Sequence, residues 1–282
     1  MKHLEYLTFP HERDLYAESD LTLFKCAFKG DEDGESALKQ AKNVRLESCV
    51  MDLRYPLWHC VGVDLFDCEM TEKCRAPLWY TSDVSVRDCD LRGVKALREC
   101  DGVSVTGTRI VSPEFGWRCR GVYMRECALE SEYLFLGASG VRWDGVSFKG
   151  KYSFQYATDV VIENCTLDTK DAFWHARNVT VRDSVVNGEY LGWYSEGLTF
   201  VNCRLSGTQP LCCCRDLKLI NCELADADLS FEYSDVEADI KGGIISVKNP
   251  RSGRVTADSI GEIILTADSV YPCDCRIEER NG

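Results

Sequence analysis

From Val84 to Val236 an apolar residue opens a recurring phrase, at Val84, Val103, Val122, Val141, Val160, Val179, Leu198, Leu217 and Val236, and every interval is 19 residues. The earlier openers, Leu21, Val44 and Val63, stand 23, 19 and 21 residues before their successors. A fixed period of this size is the mark of a solenoid, in which one supersecondary unit stacks on itself and each copy buries its neighbour's core face.

Within each phrase, apolar residues follow two, five and seven positions after the opener, as in Leu198, Phe200, Cys203 and Leu205. The first step is strand alternation. The jump of three is a bend, and the residue before the third core position is suited to it: Asp67, Asp88, Gly107, Glu126, Gly145, Asn164, Asp183, Asn202, Asn221. Gly, Asn and Asp tolerate the left-handed backbone of a one-residue corner. Side-chain amides stacked at Asn202 and Asn221 are placed to bond along the axis. The remainder of the period is expected to hold a third short strand, with no room for a helix.

A leucine-rich repeat shares this core phrase, but it needs a further leucine three positions before the opener. Here that column reads Cys60, Thr81, Cys100, Cys119, Ala138, Ala157, Ala176, Ser195, Cys214. The chain is therefore expected to be all-β, a single-stranded right-handed parallel β-helix of about a dozen coils; the hand follows the rule for parallel crossovers. Residues 1–20 are expected to cap the first coil, 21–243 to form the helix, and 244–282 to hold degenerate last coils and a tail. The stretch from Asp31 to Ser36 reads as a protruding loop.

The 282 residues carry a formal charge of -13. A nucleic-acid partner is excluded on that ground, because phosphate contacts need a basic face. No apolar run reaches the ~20 residues of a membrane-spanning helix, and no secretory leader is seen at Met1-Lys2-His3. Seventeen cysteines in a long chain without an export signal read as reduced core residues in a cytoplasmic protein. Eight of them, Cys26, Cys49, Cys68, Cys89, Cys127, Cys165, Cys203 and Cys222, share one inward column with Thr108, Val146 and Ser184. That interchange points to side-chain volume, and neither a metal nor another cofactor is expected.

Several local phrases resemble the landmarks of a known family: Gly34-Glu35-Ser36, Tyr55-Pro56-Leu57-Trp58, Arg75-Ala76 leading to Trp79-Tyr80, and Lys170-Asp171-Ala172-Phe173-Trp174. The resemblance is to a bacterial family of right-handed parallel β-helix proteins known only as a domain of unknown function. It runs from His11-Glu12-Arg13 to about residue 265, with His11 where the family's entry motif has glycine. It implies the fold, pectate-lyase-like in architecture, and carries no activity.

The fifth residue before each opener is mostly large (Trp58, Trp79, Arg98, Trp117, Trp174, Trp193) and is read as pointing inward beside the small column. Strand parity then sends the eighth, sixth and fourth positions outward. That assigns a ligand-binding face to Tyr55, His59, Tyr80, Tyr133, Tyr152, Phe154, Tyr156, Phe173, His175, Tyr190 and Tyr194. If the tryptophan column faces out instead, the face rotates and that row becomes the platform. Rings flanked by polar edges suit a carbohydrate or a protein partner. Lys95, Glu99, Glu114, Arg118 and Asp171 are the candidate catalytic residues. Lys95 with Glu114, and Glu99 with Arg118, equally read as surface ion pairs one coil apart. The spacings of Glu99 to Glu114 and Glu114 to Asp171 come to ~14 Å by coil arithmetic, wide of the ~5–9.5 Å of a glycosidase pair. Three functions follow: a binding scaffold for a saccharide-like ligand or protein, an intracellular carbohydrate-active lyase or hydrolase, or a structural protein meeting its own copies.

Overall fold

The computed structural model describes residues 2–30 and 36–280. The expected loop at 31–36 falls, except for Ser36, outside the described residues. The chain is an all-parallel β-helix, with no helix among the described residues, and it divides into two compact units, Met1–Arg142 and Trp143–Gly282.

In the first unit the strands Ser19–Phe24, Lys42–Glu47, Val61–Phe66, Ser82–Arg87, Asp101–Thr106 and Arg120–Arg125 pair in parallel, coil upon coil. The register joins Leu21 to Val44, Val44 to Val63, Val63 to Val84, Val84 to Val103 and Val103 to Val122, so the repeated openers are literal neighbours. Lys2–Glu5 adds to the other side of Ser19–Phe24. In the second unit Val160 meets Val179, Val179 meets Leu198, and Leu217 meets Val236. Asp235–Lys241, Ser252–Ala257 and Asp274–Glu279 continue the same parallel stack.

The bend after the opening strand is a left-handed corner, with φ of 52° at Asp67, 54° at Asp88, 56° at Asn164, 49° at Asp183 and 53° at Asn202. Asn221 Nδ2 donates to Asn202 Oδ1 at 2.5 Å, and Asn202 Nδ2 donates to Asp183 Oδ1 at 3.0 Å, forming the axial amide chain. A second left-handed corner lies one residue before the opener, at Gly62, Asp83, Gly102, Gly121, Asp159, Asn178, Gly197 and Asp216. That column of Gly, Asp and Asn is as regular as the first, and the sequence reading passed over it.

The inward column does more than fill volume. Cys26 N–H donates to Cys49 Sγ at 3.4 Å, Cys68 N–H to Cys89 Sγ at 3.3 Å, Cys89 N–H to Thr108 Oγ1 at 3.2 Å, and Cys165 N–H to Ser184 Oγ at 3.0 Å. A bend lifts one buried amide out of the strand ladder, and a buried N–H must find an acceptor. Thiol and hydroxyl groups on the next coil provide it, so Cys, Thr and Ser share the column because each is small and can accept. Burial pushes the thiols of Cys60 and Cys165 up to about 12 and about 11. They stay protonated and donate in turn to carbonyls, Cys60 Sγ to Leu38 O at 3.1 Å among them.

The third side of the coil departs from expectation. Through most of the described coils it is a run of turns, with two-residue strands at Leu78–Trp79, Leu97–Arg98, Glu114–Phe115 and Tyr133–Leu134, and only in the last coils do six-residue strands, Gly243–Lys248 and Ser259–Ile264, take its place. Left-handed residues alternate with others along it: Tyr152, Phe154 and Tyr156 have φ of 45°, 57° and 56°. Reverse turns close it, with Ala157 N–H donating to Phe154 O (3.3 Å) and Ala176 N–H to Phe173 O (3.1 Å).

Candidate functional site

The turn geometry decides which side chains face solvent. In a pleated strand neighbours alternate, but two successive residues of this run point the same way. The seventh, sixth and third positions before the opener are inside, as with Ser153, Phe154 and Ala157. The fifth and fourth face out, as with Gln155 and Tyr156, while the eighth varies, half-buried at Tyr152 and buried at Asp171. Two assignments are therefore corrected. Phe154 and Phe173 are fully buried and cannot touch a ligand, since the sixth column (Leu57, Leu78, Leu97, Phe135, Phe154, Phe173) is core. The tryptophan column, read as inward, is half-exposed at Trp58, Trp79, Trp117, Trp174 and Trp193.

In the first unit His59 and Tyr80 are exposed and stacked, with ring centroids 4.9 Å apart. Half-buried Tyr55 lies on Trp58 at 5.1 Å, and Tyr133 meets Trp117 edge-on at 6.3 Å. Arg98 sits between two indoles, its guanidinium carbon 5.1 Å from the Trp79 ring and 4.8 Å from that of Trp117. This is a cation–π sandwich. Lys95 and Arg98 both reach Glu114, at 3.5 and 3.4 Å. Glu99 pairs with Arg98 at 3.6 Å rather than with Arg118, which is exposed and makes no ion pair among the described residues. Lys95 and Glu114 line a cavity of about 730 Å³ together with Asp52, Lys73 and Arg75.

In the second unit the rings form a longer array. Tyr156, His175 and Tyr194 stack face to face at 4.8 and 5.2 Å, tilted by only 8° and 9°. Tyr156 is 57% and Tyr194 51% exposed. Beside them Trp174 and Trp193 stack at 5.5 Å. Their indole nitrogens donate to the carbonyls of Tyr190 (2.6 Å) and Gln209 (2.8 Å) on the next coil. Gln155 Nε2 does the same to Asp171 O at 3.0 Å. The fifth position thus ties successive coils together while showing one edge to solvent. Tyr190 stands edge-on to Trp193 at 5.6 Å with Lys170 Nζ 5.4 Å over its ring, and Tyr152 is half-buried.

The exposed rings occupy a costly backbone position. His59, Tyr80, Tyr156, His175 and Tyr194 all have φ between 53° and 59°, a region that costs a residue with a Cβ about 1–2 kcal/mol. Glycine would relieve it. Ring stacking returns about 0.5–1.5 kcal/mol per pair, so aromatic side chains are kept here at little or no net gain in stability. The same corner recurs in this column at Gln40, Glu99, Arg118 and Cys213, with φ of 49–63°, so the coil imposes it whatever residue stands there.

Asp171, the acidic candidate in this unit, is only 7% exposed, and burial raises its carboxyl above the usual carboxylate range. A raised folded-state value means that the native protein binds the proton more tightly than the unfolded chain. Stability from this group is then complete below the unfolded value and is lost as pH rises through the folded one. Asp171→Asn is accordingly expected to raise the thermal midpoint at pH 7. The gain should vanish by about pH 3–4, as followed by thermal unfolding at both pH values.

Sequence reasoning missed Tyr233, Arg215 and Tyr271. The repeat slips by one residue here: Cys213 N–H donates to Glu232 O at 2.7 Å, which puts Glu232 in the tryptophan column and Tyr233 in the ring column. Ser234, accepting from Cys214 N–H at 2.8 Å, is the signal that marks the slip. No group of three or more His, Cys, Asp or Glu side chains suited to a metal occurs among the described residues, and no helix is long and apolar enough to cross a membrane.

A parallel β-helix with a ringed turn face is the class of protein defined so far, and solved structures of that class superpose on it. A mutant of the tailspike protein of E. coli bacteriophage HK620 in complex with hexasaccharide aligns with a TM-score of 0.59 at 8% identity, over 97% of this chain and 72% of the tailspike. A double mutant of that tailspike aligns at 0.56 and 8% identity, over 94% and 70%. At such identity the likeness shows the fold alone. No curated protein matches the sequence. Residues 2–278 match the family described as "Protein of unknown function (DUF3737)", and the chain belongs to it.

Proposed function

We propose that the protein is a binding scaffold whose turn face takes a saccharide-like ligand. The observation that carries this is the array Tyr156–His175–Tyr194, exposed and stacked ring on ring over successive coils. Inner rings of a stack cover one another's faces. They offer solvent a comb of hydroxyls and imidazole edges at the coil spacing, while the row's ends offer ring faces. A polyhydroxylated chain meets both kinds of contact. The hexasaccharide named with the HK620 tailspike belongs to that protein; it makes the class of ligand a reasonable one for this fold and locates nothing here.

A glycan array should return binders, and Tyr156→Ala with Tyr194→Ala should weaken the best of them at least about tenfold, or 1.4 kcal/mol. Each substitution also removes one ring stack, about 0.5–1.5 kcal/mol, so the melting temperature should fall modestly while the variant stays folded at the assay temperature. An array without binders, or binding indifferent to both substitutions, defeats the reading.

A carbohydrate-active enzyme is the second reading, favoured by the cavity that Lys95 and Glu114 share in the first unit. Glu114 is held by two cations there, a setting that favours a structural carboxylate. A lyase and hydrolase screen in which Glu114→Gln abolishes turnover would establish this reading over the first.

A further inference from the structure

The ring column of the second unit has a missing rung. Tyr194 N–H donates to Cys212 O at 3.1 Å and Cys213 N–H to Glu232 O at 2.7 Å, so Tyr194, Cys213 and Tyr233 hold the same place on three successive coils. Tyr156, His175 and Tyr194 fill every earlier rung with a ring. At Cys213 the ring is replaced by a small side chain, and two coil steps, about 10 Å at ~4.8 Å each, separate the Tyr194 and Tyr233 backbones. That is room for one more ring at the column's own 4.8–5.2 Å spacing. A cavity of about 300 Å³ is found there, lined by His175, Tyr194, Cys213, Arg215, Tyr233 and Tyr271 among others.

Three guanidinium groups line the cavity with one carboxylate, Glu196. Of the guanidinium groups lining it, Arg177 is engaged by Glu196 at 3.8 Å and Arg251 by Asp235. Arg215 is exposed and makes no ion pair among the described residues; its charge reaches Asp235, which Arg251 already holds. An unpaired guanidinium beside a ring-sized gap recognises a planar anion, carboxylate above all, through its two-pronged donor geometry. The rest of the wall mixes the rings of Tyr233 and Tyr271 with polar groups, Glu196 among them. It suits a ring that carries hydroxyls.

We infer that the gap at Cys213 is a subsite for a single sugar ring bearing one carboxylate, a uronate, stacked on Tyr194 and paired with Arg215. The inference rests on the saccharide reading and makes it specific. The protein's net charge of -13 opposes a polyanion, and one carboxylate facing one arginine escapes that penalty.

Cys213 itself reports on occupancy. It is half-exposed, and outside the buried thiols only Cys273 and Cys275 share that accessibility. In a Cys273→Ser, Cys275→Ser background, maleimide labelling of Cys213 should slow at least about tenfold when D-glucuronate saturates the site, and much less with D-glucose. Isothermal titration should show glucuronate binding lost in Cys213→Tyr, which supplies the missing ring from the protein, and reduced to the glucose level in Arg215→Gln. Both variants should melt with the parent, since both positions reach solvent. Unchanged glucuronate affinity in Cys213→Tyr, or a preference for glucuronate that survives Arg215→Gln, overturns the subsite. Benzoate protecting Cys213 as well as glucuronate overturns the sugar assignment. If neutral glycans bind through Tyr156 while glucuronate leaves Cys213 unprotected, this inference fails and the proposed function stands. Absence of binding by every sugar fails both.

Discussion

Phe173→Ala is expected to cost about 3–5 kcal/mol of unfolding free energy, the range for deleting a buried ring. The side chain is wholly shielded from solvent, stacked on Phe154 at 5.6 Å and edge-on to Phe200 at 6.3 Å. Its loss leaves a hole that parallel strands held by their neighbours on both sides cannot collapse to fill. Tyr156→Ala, two positions from the equally buried Phe154, should cost no more than the one ring stack it loses, about 0.5–1.5 kcal/mol. Chemical denaturation of the two variants tests the turn geometry directly. Comparable losses would mean that the face alternates like a strand and that the buried column has been misplaced.

The second large effect lies in the backbone. A Cβ on Gly188 would stand 2.0 Å from Thr169 O, on a residue with φ of 150°. Neither atom can yield, because that carbonyl belongs to the neighbouring coil's main chain. Gly188→Ala is expected to destabilise by on the order of 4 kcal/mol, among the large values for single substitutions. Gly242 is the control: it has φ of 76° but nothing within 4 Å of its would-be Cβ. Gly242→Ala then carries only the left-handed strain, about 1–2 kcal/mol. Equal midpoints for the two alanine variants in urea would show that contact between coils contributes nothing at Gly188.

Much of the coil was legible because it depends on local rules repeated many times. Strand alternation at Val160 and Ile162, the turn-tolerant residue at Asn164, and the small acceptor at Cys165 each leave a mark that stacking then aligns. The Arg98 sandwich was legible for the same reason, since positions 19 residues apart become neighbours. The candidate face was harder to read. Two-residue parity is a property of pleated backbone, and it misled at Phe154 and Phe173 because alternate left-handed residues break the pleat there. Tyr, Phe and His carry no sequence mark of a positive φ; Gly137 and Gly192, at equivalent places in other coils, were the available hint.

By itself the sequence determined the period, the parallel register, the two kinds of buried column and the family. All of these follow from side-chain size and polarity recurring at one interval. Only the tertiary structure decided which residues look outward on the turn side, that Cys213 interrupts a column of rings continued by Tyr233, and that Arg215 stands beside the gap. Those facts depend on backbone handedness and on a one-residue slip between coils, and neither is set by the identity of any single residue.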